Sequence, residues 1–396
     1  MRASSIFIHV LFCVLSHLSS VQCDDPLGHL QPLGSHMPPI NIDVIDTPPS
    51  PQEFLEKYVK VNKPVVIRGA AKAFDIFNTW KNDEYLREKY GKWLAPVEIG
   101  KYEAHFNETV IKISFDWFLS NYKDKELSII RDIVSKNPMR DEISLMKSMS
   151  CGGYHDRVTN VIFIFSSGSG QSAIHWDPAE NMHCLLDGTK EWTIIHRKDR
   201  HILPEYNESR VYSVVDPMRV DMKKYPVMQD MPWYHASIEA GDCLFIPNNS
   251  PHYVKSGDSR NMAVSIWFAA PKSLDLKDCP ENMENLPNSV PLGRSLISRL
   301  ENFKAMLYMM IDNRGDELKE EKFFHDIEYP GMDYYDDAVK VWEAIDTDDD
   351  GVITAKEIED ITDISDEVLD AFSLDVDKYE EDEELTKIVM KAKEEL

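Results

Sequence analysis

Ser172-Ala173-Ile174-His175-Trp176-Asp177 sets a histidine and an aspartate one residue apart. Side chains alternate along an extended strand, so His175 and Asp177 project to one face and Trp176 to the other. An imidazole and a carboxylate side by side are two legs of a metal tripod. The best candidate for the third leg is His252, in Ile246-Pro247-Asn248-Asn249-Ser250-Pro251-His252-Tyr253-Val254, just past the turn-rich Glu239-Ala240-Gly241-Asp242. Two histidines and one carboxylate on one face of a ferrous ion leave its other positions open. An H-x-D pair alone arises often by chance, and a half-exposed strand with a satisfied histidine carries it equally well.

Lys190 sharpens the signal. In Asp187-Gly188-Thr189-Lys190-Glu191-Trp192-Thr193-Ile194-Ile195, alternation puts Lys190 on the same face as Trp192 and Ile194, an apolar face. Lysine is almost never buried without a partner. A small dicarboxylate lodged inside the fold would supply one. With the triad this reads as 2-oxoglutarate, its keto acid end on iron and its far carboxylate on Lys190.

Around these residues, short β-rich runs recur between Gly, Pro and Asn turns, at 161–165, 182–186, 191–195, 211–215, 243–247 and 261–268. The pattern predicts a mainly β fold with flanking helices, a double-stranded β-helix or jelly roll of cupin type. Its sheets close around an interior pocket, which lets ligands distant in sequence converge. Upstream, Phe54, Leu55, Tyr58 and Val59 form a helical stripe within 52–61, and 64–69 reads as a buried strand ending at Gly69. Residues 76–150 mix both patterns and are expected to pack against the outside of the barrel.

This set of residues resembles the Jumonji-C (JmjC) oxygenases, particularly the small protein-hydroxylase branch that includes the asparaginyl hydroxylase acting on hypoxia-inducible factor. The resemblance covers residues 50–270 and implies that His175, Asp177 and His252 hold iron while Lys190 anchors 2-oxoglutarate. By the same likeness Ser172, Asn181 and Ser265 line the cosubstrate pocket. Many relatives carry an upstream tyrosine on the cosubstrate carboxylate. Residues 142–146 take that place without one, and Tyr154 is the candidate substitute. Asn248-Asn249-Ser250-Pro251 stands where relatives tend to have a tryptophan-containing loop.

The net charge of −26 argues against a nucleic-acid partner, whose phosphates would be repelled. Residues 1–23 carry the marks of a cleaved secretory signal: Arg2, an apolar run at 6–15, and Val21-Gln22-Cys23. That run is too short for a bilayer, which needs ~20 residues, and no membrane span is expected. Lys393-Glu394-Glu395-Leu396 nearly matches the Lys-Asp-Glu-Leu signal read by a retrieval receptor, so the expected location is the lumen of the endoplasmic reticulum. Sequons at Asn107, Asn207 and Asn248 fit that route, and Asn107 and Asn207 are the expected glycosylation sites. Among the cysteines left after signal removal, Cys184 and Cys243 lie in apolar strand patterns and read as small core residues. Cys151 and Cys279 flank the barrel and could pair, but spacing does not fix connectivity.

Near the C-terminus, Asp346-Thr347-Asp348-Asp349-Asp350-Gly351-Val352-Ile353-Thr354-Ala355-Lys356-Glu357 has the form of an EF-hand calcium loop. Asp346, Asp348 and Asp350 take positions one, three and five, Val352 offers its carbonyl, and Glu357 offers both oxygens for Ca2+. Residues 365–390 are the expected degenerate partner hand. Leu296, Leu300, Phe303, Met306, Leu307 and Met310 form an apolar helical face within 290–312. The expected order is a signal peptide at 1–23, an extended leader at 24–51, an oxygenase domain at 52–290 with its barrel core at 158–270, a helical extension at 291–330, an EF-hand module at 331–390 and a retrieval signal at 393–396. The activity implied is an Fe(II)- and 2-oxoglutarate-dependent dioxygenase hydroxylating a side chain on a secretory-pathway polypeptide. The rival reading is a catalytically inactive barrel on a luminal calcium-binding adaptor, and intact His175, Asp177, His252 and Lys190 argue against it.

Overall fold

The computed structural model describes residues 25–365 apart from 101–109, 125, 134–136, 207–208, 272, 294–299, 301–302, 305–306, 308–309, 312–316, 328–334 and 362–363. The signal-like segment, Asn107, Asn207, the proposed partner hand at 366–390 and the retrieval-like tail lie outside the described residues.

Nine strands make the larger sheet: β1 (Asp43–Ile45), β2 (Val65–Ile67), β3 (Leu94–Ile99), β4 (Val110–Ser114), β5 (Leu127–Asp132), β7 (Val158–Ser166), β8 (Glu180–Asp187), β13 (Cys243–Ile246) and β15 (Asn261–Phe268). Their order in space is β1-β2-β13-β8-β15-β7-β5-β3-β4. The smaller sheet sets β9 (Thr189–Ile194) between β12 (Tyr234–Glu239) and β14 (His252–Ser256). Two ribbons flank them: β6 (Ser144–Met146) with β16 (Ser289–Pro291), and β10 (Glu205–Tyr206) with β11 (Ser209–Ser213). Residues 76–150 were expected on the barrel's outside. Part of that stretch instead enters the sheet, β5 pairing with β7 and β3 with β5.

Strand parity sorts the side chains into two cores. Met182, Cys184 and Leu186 of β8, Val161, Phe163 and Phe165 of β7, and Met262, Val264 and Ile266 of β15 share one apolar cluster with Phe54, Trp80 and Phe115 from the helical layer. The next residues along, Leu185 of β8 and Ala263 of β15, join Trp192, Ile194 and Ile238 of the smaller sheet in a second cluster between the sheets. Each buried Phe in the first cluster contributes about 1.5–3 kcal/mol of transfer free energy. The chain crosses from one sheet to the other at Gly188 (φ +85°), where a Cβ would meet the Arg260 carbonyl oxygen at 2.6 Å. Only glycine takes that turn without strain.

The predicted helix at 52–61 is a short α-helix, Pro51–Phe54, running into a π-helical turn, Leu55–Val59. Ser50 and Glu53 cap its start reciprocally. Its stripe of Phe54, Leu55, Tyr58 and Val59 is buried as expected. The leader is docked and not merely extended. β1 pairs in parallel with β2, Leu33 and Met37 pack beside Met222 and Trp233, and the Trp233 indole N–H donates to the Met37 carbonyl (2.9 Å).

The cysteine reading needs one correction. Cys184 and Cys243 are not separate core thiols but a disulfide, because β8 and β13 run antiparallel with these residues directly opposite, Cα atoms 4.1 Å apart. Alternation within each strand could not reveal that the two cysteines face each other. Cys151 and Cys279 also pair.

The C-terminal residues have a core of their own. Phe303, Leu307 and Ile311 pack with Phe323, Val341, Trp342, Ile353 and Ile358. Helices Glu320–Ile327, Tyr335–Ile345 and Ala355–Asp360 supply Phe323, Val341, Trp342 and Ile358. The segments read as an extension at 291–330 and a module at 331–390 thus share one core, and residues 289–291 are strand, not helix. Of the apolar helical face read at 290–312, Phe303 and Leu307 are buried there and Leu300 and Met310 pack against it, whereas Leu296 and Met306 lie outside the described residues. Among the described residues the acidic loop at 346–357 pairs backward. Its β18 (Val352–Thr354) lies antiparallel to β17 (Glu317–Lys319), with Leu318 opposite Ile353. Among the described residues no helix is long and apolar enough to cross a membrane.

Candidate functional site

His175 and Asp177 do not sit on a regular strand. Residues 172–177 run beside β14 through isolated bridges: His175 N–H donates to the His252 carbonyl (3.1 Å) and His252 N–H returns to the His175 carbonyl (2.7 Å). This reciprocal pair brings the two imidazoles together, ring centroids 4.3 Å apart and planes tilted by 59°. Asp177 joins from the same segment, its Oδ2 3.8 Å from His252 Nε2. One donor atom from each of His175, Asp177 and His252 lies within 4.8 Å of the others.

The loop before His252 is tightly held. Asn249 N–H donates to the Asp177 carbonyl (2.7 Å), Asn248 N–H to Glu180 Oε2 (3.0 Å), and Arg197 to the Asn248 amide oxygen (2.9 Å). The Nδ1 atoms of His175 and His252 each lie 3.0 Å from a backbone carbonyl, of Ala173 and Ser250. Protons placed on those nitrogens leave both Nε2 lone pairs for a cation. Burial pushes the His252 imidazole down to about 4, the His175 charge adding and Asp177 opposing, so the ring is neutral near pH 7. Burial likewise pushes the Glu180 carboxyl up to about 7, against the hydrogen bond from Asn248. Two imidazole nitrogens and a carboxylate oxygen gathered at one point fit a first-row divalent ion.

The cluster opens into a cleft of about 1090 Å³ of atom-free space, part of it in solvent. Parity explains its walls. The inward rows of the larger sheet contribute Ile162 and Ile164 from β7, Asn181 and His183 from β8, and Ser265 and Trp267 from β15. Lys190, Trp192 and Ser256 face them from the smaller sheet. Lys190 is 5% exposed, its ammonium donating to Ser256 Oγ (3.0 Å). Lys190, Ser172, Asn181 and Ser265, named from sequence for the cosubstrate, all line this cleft. Asn181 donates to Asp177 Oδ2 (2.9 Å), Ser172 Oγ accepts from Val254 N–H (3.0 Å), and Ser265 Oγ lies 2.8 Å from His183 Nδ1.

Two readings change. Tyr154 is no substitute for the missing tyrosine: it packs on Phe54 and Phe268 in the outer core, away from the cleft. His183, passed over as part of an apolar run, lines the cleft one alternation beyond Asn181. The parity that turned Asn181 inward was the available signal. Four buried polar atoms of the wall have no partner among the described residues: Asn181 Oδ1, His183 Nε2, Trp192 Nε1 and Trp267 Nε1. Such atoms are costly unless a ligand or water meets them.

Comparison with known proteins adds to this geometry. A family model described as the cupin-like domain matches residues 51–273. A Drosophila melanogaster protein named Jumonji C domain-containing protein 5 is 24% identical over 258 residues, 61% of this chain and 63% of that protein. A Dictyostelium discoideum JmjC domain-containing protein D is 25% identical over 248 residues, 54% of this chain and 53% of that protein. A human protein named bifunctional peptidase and (3S)-lysyl hydroxylase JMJD7 is 20% identical over 279 residues, 58% of this chain and 84% of that protein. The chain thus spans little more than half of the first two relatives.

Proposed function

Starting from a chain that belongs to the cupin-like domain family, we propose that it is an Fe(II)- and 2-oxoglutarate-dependent oxygenase hydroxylating a polypeptide side chain in the lumen of the endoplasmic reticulum. One observation carries this reading: the His175–Asp177–His252 cluster opens into the same cleft as a buried lysine. Iron, when bound, supplies oxygen activation, with 2-oxoglutarate oxidised to succinate and carbon dioxide.

The chain's own residues have four tasks. His175, Asp177 and His252 hold the ion from one side. Asn181 keeps Asp177 oriented through its amide N–H, and the pinned loop at 248–251 does the same for His252. Lys190 gives the far carboxylate of the cosubstrate a charge partner in a dry wall. Ile130, Ile162 and Ile164 give the cleft an apolar wall.

The relative named a lysyl hydroxylase supports hydroxylation of a polypeptide, and the net charge of −26 weighs against chromatin as the substrate. The two disulfides support an oxidising compartment, as do the address-like residues at 1–23 and 393–396, the latter for a retrieval receptor. Reconstitution with Fe(II) under nitrogen, followed by metal analysis and succinate assay with and without 2-oxoglutarate, tests the reading. Stoichiometric iron and 2-oxoglutarate-dependent succinate are expected. Iron-free protein or absent succinate would leave the luminal adaptor in its place.

A second site is proposed for Ca2+ at Asp346, Asp348, Asp350, the Val352 carbonyl and Glu357. The three aspartates lie within 4.8 Å of one another, and Gly351 (φ +79°) makes the sharp turn such loops need. The β17–β18 pairing supports it too, since calcium loops work in pairs joined by a short antiparallel contact. Calorimetric titration with Ca2+ tests it, and no binding at millimolar calcium would remove it.

A further inference from the structure

We propose that His183 is a second anchor for the carboxylate that Lys190 holds, Ser265 fixing the ring while Nε2 donates to the ligand. The inference rests on the reading of the cleft as a 2-oxoglutarate site and adds to it a residue with its own signature.

The case begins with position. Asn181 and His183 are neighbours on the inward row of β8, and Asn181 reaches Asp177 at the metal end. Lys190 lies past the Gly188 crossing, on the facing sheet. His183 therefore stands on the wall between the metal cluster and the lysine, and the Lys190 charge acts on it. Its ring is clamped. Ser265 lies directly opposite in the β8–β15 register with Oγ 2.8 Å from Nδ1, and Trp192 packs against it edge to face, ring centroids 4.9 Å apart at 69°.

The second step is chemistry. His183 is 1% exposed, yet Nε2 has no partner among the described residues. A packing position of that kind is better filled by an apolar ring, and Leu185, the next inward residue, is apolar. The serine decides what Nε2 offers. A hydroxyl can donate or accept, so when Ser265 donates to Nδ1 the neutral ring carries its hydrogen on Nε2. An N–H aimed into a dry wall near an ammonium is suited to an anionic oxygen lodged between them. Burial, with the Lys190 charge, holds the imidazole well below its usual range, so it stays a neutral donor and is not a second cation.

The test uses the full chain loaded with Mn(II), which occupies the site without turnover. Binding of 2-oxoglutarate is compared with that of 2-oxobutanoate, which has the same keto acid head but a hydrogen in place of the far carboxylate. A hydrogen bond to a charged group is worth ~1.5–3 kcal/mol, so His183→Phe should weaken 2-oxoglutarate about ten- to a hundredfold. The same variant should leave 2-oxobutanoate and Mn(II) affinity unchanged. His183→Asn, which restores a donor, should recover part of the loss and also serves if the phenylalanine variant does not fold. Equal 2-oxoglutarate binding in wild type and both variants would overturn the inference and leave the oxygenase reading intact. A parallel loss for both keto acids would reduce His183 to packing, which also overturns it. Wild-type protein that binds Mn(II) but shows no preference for 2-oxoglutarate would overturn the reading beneath it.

Discussion

Barrel and C-terminal loop each gather possible metal ligands around one point, but by opposite means. In the barrel the donors come from residues 175, 177 and 252, brought together by pairing between distant segments, and Asp177 and His252 are buried. In the loop, Asp346, Asp348 and Asp350 are near neighbours in sequence, and the last two are exposed. The barrel keeps unpartnered polar atoms in its wall. The loop satisfies its own: Asp346 accepts from the Asp350 and Gly351 N–H groups, and Glu357 accepts from Thr347 and Thr354. A ligand entering the barrel relieves a cost the fold already carries, whereas an ion entering the loop must displace bonds the loop has made. The barrel should therefore discriminate strongly between ligands and the loop should bind weakly.

The largest effect should come from Asp177→Ala, which removes the anionic donor and the partner of Asn181. Stoichiometric iron and 2-oxoglutarate-dependent succinate should both vanish while circular dichroism is unchanged, because the site fills after folding. Iron retained at wild-type stoichiometry would break the contrast at its root. Lys190→Ala comes next. It should keep the iron and lose cosubstrate affinity by ~3–5 kcal/mol, the cost of stranding a buried charge. Wild-type affinity for 2-oxoglutarate in that variant would mean the cleft does not take a dicarboxylate end-on.

Burial also sets how each region answers pH. Glu180, enclosed at the start of β8, has its carboxyl raised from 4.5 to about 7 by desolvation. The folded chain then holds a proton that the unfolded chain has lost, so this group's contribution to stability falls as pH rises through that window. At ~1.4 kcal/mol per pH unit the loss is on the order of 3 kcal/mol between pH 4.5 and 7. Glu180→Gln should flatten it and raise the urea midpoint at pH 8 relative to wild type. An unchanged midpoint would show that Asn248 and Arg197 keep the carboxylate ionised. Exposed Asp348 also titrates high, through partial desolvation and the fields of Asp350 and Glu357, but solvent screens it and no comparable dependence should follow from it.

What the sequence made legible follows the same division. The calcium-loop pattern is contiguous, so residues 346–357 could be read one by one. His175, Asp177 and Lys190 were found by alternation, which is also local. His252 needed an outside clue, because nothing in its own neighbourhood says that it pairs with residue 175. Facts of register were out of reach. The Cys184–Cys243 bridge depends on which residues face each other across β8 and β13, and the pairing of Leu318 with Ile353 depends on the register of β17 and β18. His183 is the instructive miss. Its parity was known from Asn181, but the apolar company of Cys184, Leu185 and Leu186 hid a polar residue turned inward.

The smallest effect expected is that of calcium on the barrel, and it tests the division most severely. The loop's core, from Phe303 to Ile361, shares no residue with the clusters that build the barrel. Calcium at a hundred times its dissociation constant stabilises whatever it binds by ~2.7 kcal/mol. That gain belongs to the cooperative unit holding the loop, which here comprises the helices around Trp342 and the β17–β18 pair. Thermal unfolding should show a C-terminal transition that rises with calcium, at millimolar levels if the loop binds as weakly as its own hydrogen bonds imply. Glu357→Gln should abolish the rise, since Glu357 gives both the far ligand and the cap that starts its helix. Leu318→Ala should lower the same transition in calcium-free buffer by ~2–5 kcal/mol, as a buried core truncation does, while keeping a calcium response. Through all three experiments the barrel's own transition and its succinate rate should stay where they were. A several-fold change in turnover with calcium would mean that loop and barrel share one cooperative unit, and the two sites would have to be explained as a regulator and its target.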